Sequence, residues 1–142
     1  MTVNMLRQTK IEYGDFQTPF ELAKRVCEKL NELKVSPSLV IEPTCGVGAF
    51  VEASALSFSS AKKIIGVEVN QDYLDELKNR KKEFNQNEKI ELLQGDFFTF
   101  NWKNLLKVEG STLIIGNFPW VTNSQQGAIG GGNLPAKINF QN

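Results

Sequence analysis

Histidine is absent from this 142-residue chain. That removes the side chain most often used as a general base at neutral pH and the commonest metal ligand. Cysteine is scarce: Cys27 and Cys45 are the only two. Two are too few for a disulfide framework or a four-cysteine zinc site, and a radical iron–sulfur enzyme would need three. Charge of either sign is not in excess, with 16 Lys plus Arg against 16 Asp plus Glu. A protein that coats nucleic acid on its own would carry a clear basic surplus. No apolar run approaches the roughly 18 residues of a membrane span. Arg7, Lys10 and Glu12 stand where a signal peptide would have its apolar core. The expectation is a reduced, cytoplasmic domain without a membrane anchor, and 41% hydrophobic residues are enough to give it a core.

The order of elements carries the fold. Thr18-Pro19-Phe20-Glu21 reads as a helix start, with Thr18 as N-cap, Pro19 at the first helical position and Glu21 three residues after the cap. Ala23, Val26, Cys27, Leu30 and Leu33 follow at helical spacing, and Ser36-Pro37 closes the segment. Leu39-Val40-Ile41 is a buried-strand run ending at Glu42. Gly46 and Gly48 then form a loop, and residues 49–58 suit a helix. A second strand spans Ile64 to Val69, with Glu68 at its end. Asn70 can cap a helix that places Tyr73, Leu74, Leu77 and Phe84 on one face. A third strand, Ile90 to Leu93, turns at Gly95-Asp96. A loop or short helix with Trp102, Leu105 and Leu106 leads to a fourth, Thr112 to Ile115.

Short strands separated by helices imply a parallel sheet with right-handed crossovers, a Rossmann-like doubly wound α/β fold. Such folds usually carry five or more strands, so four predict the first part of a larger catalytic domain. The expected organisation is a core over residues 1–120. A Gly-rich segment follows over 121–142, where Lys137 is the only charge. A small complete domain with a loose tail is the alternative.

Ligands of doubly wound sheets lie at the carboxyl ends of the strands, and those ends read Glu42, Glu68, Asp96 and Asn117. The loop Glu42-Pro43-Thr44-Cys45-Gly46-Val47-Gly48-Ala49-Phe50 allows a tight turn and close backbone approach. A dinucleotide fingerprint would need a third small residue where Val51 stands, and a Walker loop would need Gly-Lys-Ser/Thr. Glu42 would repel a pyrophosphate and suits an ammonium; the bland reading of the loop is an ordinary strand-to-helix turn. Glu68 can accept from ribose hydroxyls, or be an exposed strand-end acid. Asp96 can accept from an adenine amine, or simply form its turn, and Phe97 and Phe98 can wall a purine. In Asn117-Phe118-Pro119-Trp120, an amide oxygen and a backbone carbonyl can accept both hydrogens of an aromatic amine. Trp120 offers a face for a base.

On these motifs the chain resembles the S-adenosylmethionine-dependent amino-methyltransferases, most closely the gamma group of DNA adenine-N6 methyltransferases of restriction–modification systems. The resemblance runs from about Tyr13 to Trp120. It implies the class I methyltransferase fold, S-adenosylmethionine as cofactor, and DNA as partner through regions beyond this chain. Phe16, Gln17, Thr18 and Pro19 are similar to the motif at the cofactor's methionine end. Glu42, Thr44, Cys45, Gly46, Gly48 and Phe50 belong to the glycine loop. Glu68 and Val69 stand at the ribose, and Asp96 and Phe97 at the adenine. Asn117, Phe118, Pro119 and Trp120 match the catalytic tetrapeptide, with Phe118 acting through its carbonyl where the family usually has Pro. Cys45 sits in the cofactor loop and reads as a packing residue. The basic run Lys78, Arg80, Lys81, Lys82 reads as the solvated end of a helix.

Ribosomal RNA adenine dimethyltransferases share Asn-X-Pro-aromatic, and protein-glutamine methyltransferases share the tetrapeptide. A nicotinamide-dinucleotide domain would use the glycine loop and Glu68 but leave Glu42 and Asn117 without roles. A non-catalytic assembly subunit would explain the length. A sheet ending at its fourth strand also predicts an open edge for a second copy or a partner chain.

Overall fold

The computed structural model describes residues 17–118, and the fold is that of these residues. Their elements are α1 (Phe20–Glu32), β1 (Leu39–Glu42), α2 (Ala49–Ser57), β2 (Lys63–Glu68), α3 (Gln71–Arg80), β3 (Ile90–Gln94) and β4 (Thr112–Ile114). Phe16, Pro119, Trp120 and the expected segment 121–142 lie outside the described residues.

The strands form one sheet in the order β3-β2-β1-β4, with every neighbouring pair parallel. Val40 pairs with Ile64 on one side and Leu113 on the other, and Ile64 pairs with Ile90. The chain steps outward from β1 to β2 to β3, then returns to the far side of β1 for β4. That reversal puts the topological switch point between β1 and β4 and opens a crevice beyond their carboxyl ends. β1 is buried along its whole length, as expected of a central parallel strand with a near-continuous apolar run.

The two faces are covered differently. Ala23 and Cys27 of α1, Val51 and Ala53 of α2 and Leu77 of α3 pack with Val40, Ile64 and Ile90 of the sheet. On the opposite face, Leu39, Ile41, Ile65 and Val67 meet Phe100, Trp102, Leu105 and Val108 from the connection between β3 and β4. That connection holds one 3-10 turn, Trp102–Asn104, so an aromatic strap covers this face. The indole N–H of Trp102 donates to the Phe97 carbonyl at 3.0 Å, and the Phe100 and Trp102 rings lie 4.7 Å apart. Leu106, read with them, is exposed.

Several expected boundaries shift for local reasons. Pro19 holds ψ at 136° and is itself the N-cap; its carbonyl accepts from Leu22 and Ala23. Thr18 thus stands one residue before the cap, next to a proline that disfavours helical backbone in its neighbour, and the cap itself makes no side-chain hydrogen bond. α1 ends four residues before Ser36. Lys34 takes a left-handed φ of 65°, and Val35 N–H returns to the Leu30 carbonyl at 3.0 Å, a Schellman closure built on lysine. Val26 and Leu33 therefore face outward, and the buried stripe is Ala23 and Cys27 with Leu30 alongside. β2 stops at Glu68 and Val69 is exposed. Phe84 is buried but follows the 3-10 turn Lys81–Glu83 rather than riding α3. Asn70 caps α3 as read, its Oδ1 accepting from Asp72 N–H at 2.9 Å and Tyr73 N–H at 3.4 Å.

Candidate functional site

The strand ends meet because two loops hang on the end of β2. Cys45 N–H donates to the Val67 carbonyl at 2.8 Å, which holds the loop after β1. Gly95 N–H donates to the Glu68 carbonyl at 3.0 Å, which holds the turn after β3. Both depend on backbone that is free to approach, and two glycines bend the first loop. Gly46 has φ +51° and Gly48 φ +88°, where L side chains are strained, and a Cβ on Gly48 would lie 2.3 Å from Leu77 Cδ1.

Glu68 is the hub of this loop. One carboxylate oxygen accepts from Gly46 N–H at 2.7 Å and the other from Asn70 N–H at 2.8 Å, with the residue 8% exposed. The expected ribose acceptor is thus also the tie between the glycine loop and the cap of α3. Each carboxylate oxygen keeps a second lone pair for a ligand.

Glu42 is more extreme. It is 4% exposed, and its Oε2 has no hydrogen-bond partner among the described residues. Burial pushes its pKa well up from 4.5; the Val51 backbone N–H opposes this, and the charge of Glu68 adds to it. Val51 lies in the first turn of α2, so the carboxyl sits where the helix has spare N–H groups. Gly116, just after β4, brings a Cβ position to 3.4 Å of Glu42 Cγ. An unpaired buried carboxylate oxygen costs about 1–3 kcal/mol, which a cationic donor would relieve.

Thr44 joins this group to the next. Its hydroxyl donates to the Asn117 carbonyl at 3.3 Å, bringing the glycine loop to the tetrapeptide. Asn117 and Phe118 are exposed. The Phe118 ring stacks on Phe97 at 5.9 Å and 27°, and Phe98 meets Phe97 edge-on at 5.2 Å. The Phe118 ring thus has a packing contact in addition to the carbonyl to which the sequence reading gives a role. Asp96 turns on its own loop: its Oδ1 accepts from Phe98 N–H at 2.8 Å, and its carbonyl from Thr99 and Phe100. It realises the turn-forming reading while lying at the strand end.

Other expected residues fall inside the core or outside the group. Phe50 is buried on α2 among core residues. Cys45 is buried and free among core residues, and burial beside Glu42 and Glu68 pushes its thiol pKa up. Cys27 is pushed up to about 11, chiefly by burial. Among the described residues no cluster of acids and cysteines suits a metal, and no helix is long and apolar enough to cross a membrane.

Two residues make contacts at the site that the sequence did not single out: Gln17, quoted there only as part of the N-terminal motif, and Arg80. Gln17 Oε1 accepts from Val47 N–H at 3.2 Å. Arg80 donates through Nη1 to the Val47 carbonyl and through Nη2 to Glu52 Oε2, both at 3.1 Å. The supposed solvated run is thus partly tied inward, and Lys81 Nζ also reaches the Ile90 carbonyl at 2.6 Å. Gln17 stood inside a quoted motif; Arg80 had no local signature.

No protein-family model matches the chain. Against curated proteins, it is 54% identical over 141 residues to the Type II methyltransferase M.NspV of Nostoc sp., covering 99% of this chain and 29% of that protein. It is 32% identical over 99 residues to the ribosomal RNA small subunit methyltransferase A of Prochlorococcus marinus, 68% of this chain and 34% of that one. The fold is similar to that of a candidate RNA methyltransferase from Pyrococcus horikoshii, with TM-score 0.54 and 26% identity over 65% of this chain and 45% of that structure. The chain spans about a third or less of the length of both curated relatives. In sequence it belongs to the type II, restriction–modification methyltransferase family, and its parallel sheet is the Rossmann-like methyltransferase fold.

Proposed function

We propose that the chain binds S-adenosylmethionine across the carboxyl ends of β1, β2 and β3, and that its activity is methyl transfer to the exocyclic amine of adenine in DNA. The observation that carries the first part is Glu42. A buried carboxyl with an unpartnered oxygen beside a glycine turn fits the ammonium of an amino-acid ligand. The neighbouring Glu68, with lone pairs to spare, fits a ribose diol, and the Asp96-Phe97 turn fits an adenine. A pyrophosphate would meet two carboxyl groups, which counts against a dinucleotide. The extent of identity to the Nostoc methyltransferase supports the same reading.

The cofactor supplies an electrophilic methyl on a sulfonium. The chain's own residues supply position. Asn117 Oδ1 and the Phe118 carbonyl accept the hydrogens of the incoming amine and hold its lone pair toward the methyl. Trp120 is assigned to stacking on the extruded base, and Pro119 to fixing the chain's direction. A positioned amine needs no strong base, and orientation accounts for much of the rate. A cytoplasmic setting, where cofactor and DNA coexist, belongs to the same proposal. Among the described residues β4, with Ile114 58% exposed, is the edge strand that a strand from a second copy or another chain would extend.

The test is calorimetric titration with S-adenosylhomocysteine, the demethylated product, beside NAD. Binding of the first and not the second is expected, with a sharp loss in Glu42→Gln. A folded wild-type protein that ignores S-adenosylhomocysteine would remove the proposal. The identity to the Prochlorococcus ribosomal RNA methyltransferase favours one second reading, adenine in RNA as acceptor. Transfer of labelled methyl to adenine-containing duplex DNA against a ribosomal RNA hairpin separates the two acceptors.

A further inference from the structure

Between the two positive-φ glycines stands Val47, and both peptide groups flanking it are held by side chains from distant elements. Its N–H is taken by Gln17, just before α1. Its carbonyl is taken by Arg80, the last residue of α3. Arg80 does not act alone. Its second nitrogen binds Glu52 at 3.1 Å, and its guanidinium lies 5.6 Å from the centroid of Phe84, whose ring is buried. Glu52 is in the first turn of α2, one residue after Val51, whose N–H faces Glu42. One planar, two-pronged cation therefore fastens the glycine loop to the helix that supports Glu42.

We infer that Arg80 is a positioning residue for the amino-acid end of the ligand: it sets the Val47–Gly48 peptide and the start of α2, and through them the Glu42 pocket. The inference rests on the proposed cofactor reading. The geometry separates it from general support. Glu68, assigned to the ribose, is held by Gly46 and Asn70 N–H groups that Arg80 does not touch. Loss of Arg80 therefore loosens the ammonium side of the pocket and spares the nucleoside side. Lysine replaces it only in part, because one ammonium on a flexible stem does not reproduce a fixed fork reaching two acceptors.

The experiment is calorimetric titration of wild type, Arg80→Gln and Arg80→Lys with two probes. S-adenosylhomocysteine carries the amino-acid end, and 5′-methylthioadenosine lacks it. Since Arg80 is partly exposed, Arg80→Gln is expected to weaken S-adenosylhomocysteine roughly five- to tenfold while 5′-methylthioadenosine stays within about twofold. Arg80→Lys recovers part of the difference. Hydrogen exchange without ligand is expected to quicken at Val47 and Gly48 and to hold steady at Asn70. Equal losses for both probes, or an unchanged ratio in both variants, overturn the inference while leaving the cofactor reading intact. A wild-type protein that binds neither probe overturns the cofactor reading and this inference with it.

Discussion

The two halves of the sheet end differ in how finished they are. At β1 and β2 the strands are buried, the terminal acids Glu42 and Glu68 are 4% and 8% exposed, and the loop between them is held by Glu68, Gln17 and Arg80. At β3 and β4 the strands are only partly covered, Asn117 and Phe118 are exposed, and Phe98 is 73% exposed. One half is a desolvated, hydrogen-bonded cradle, where electrostatic interactions are strong. The other is an exposed aromatic shelf beside β4, the edge strand among the described residues. This division matches the chemistry proposed for each: a small charged ligand that every turnover replaces, and a bulky polymer that brings its own surface to close the site.

The sharpest test of that contrast lies on the open half. In a chain long enough to be active, Asn117→Ala is expected to slow single-turnover methyl transfer by roughly 10²–10³, the loss typical of one preorganised polar contact to developing charge. Cofactor affinity should hardly move, because Asn117 is assigned to the acceptor side of the site, whereas Glu42 and Glu68 are assigned to the cofactor. Lost cofactor binding with an unchanged saturated rate would erase the distinction between the halves. On the closed half the effect should fall on stability. Gly48→Ala forces a Cβ to 2.3 Å of buried Leu77 at φ +88°, so strain and overpacking together should cost ~2–4 kcal/mol in urea unfolding. A loss under about 0.5 kcal/mol would show that the cradle yields.

What the sequence made legible follows the same line. The alternation of strands and helices, the Asn70 cap and the strand-end acids are local patterns, carried within a few residues of one another. The contacts that build the cradle are not. Val47 meets Gln17 across 30 residues and Arg80 across 33, and Glu68 reaches Gly46 across 22. No periodicity encodes such pairs, so Arg80 read as one cation in a solvated run. Thr18 read as an N-cap because its type and spacing fit, yet the φ and ψ of Pro19 decide where α1 starts. Val26 and Leu33 matched the helical period but lie outside the narrower stripe that α2 covers. The aromatic strap was hardest to foresee, since a crossover without a regular helix leaves no period to read.

Acidity offers a subtler probe of the closed half. Burial raises the Glu42 pKa well above 4.5, so the folded chain keeps a proton that the unfolded chain releases as pH rises through that value. The unfolded state then binds fewer protons, and stability falls with rising pH until the folded-state pKa is passed. Wild type should therefore lose stability relative to Glu42→Gln above about pH 5, with the difference levelling off at higher pH. Thermal denaturation of both proteins from acid to neutral pH measures it. Binding S-adenosylhomocysteine should release a proton from wild type alone, read from the dependence of binding heat on the buffer's ionisation enthalpy. Parallel stability curves would mean that Glu42 is charged without a ligand and that the cradle is wetter than its burial implies.

The smallest expected effect tests whether the halves communicate. Phe118 stacks on Phe97, the residue after Asp96, so its ring links the tetrapeptide to the turn assigned to the cofactor's adenine. Phe118→Pro restores the family's usual residue and keeps the carbonyl, so methyl transfer should survive. The ring contact is lost, and aromatic pairs contribute about 0.5–1.5 kcal/mol beyond buried area. With Phe118 42% exposed, the lower end is expected. A double-mutant cycle with Phe97→Leu isolates the pair from the separate effects of each change. Run on affinity for S-adenosylhomocysteine, it should give a coupling of about 0.5 kcal/mol, near a twofold non-additivity. Strict additivity would mean that the shelf and the cradle are energetically separate. Coupling at the expected size would mean that Phe118, where relatives of the gamma group usually carry proline, gives this protein a direct contact between its two ligand sites.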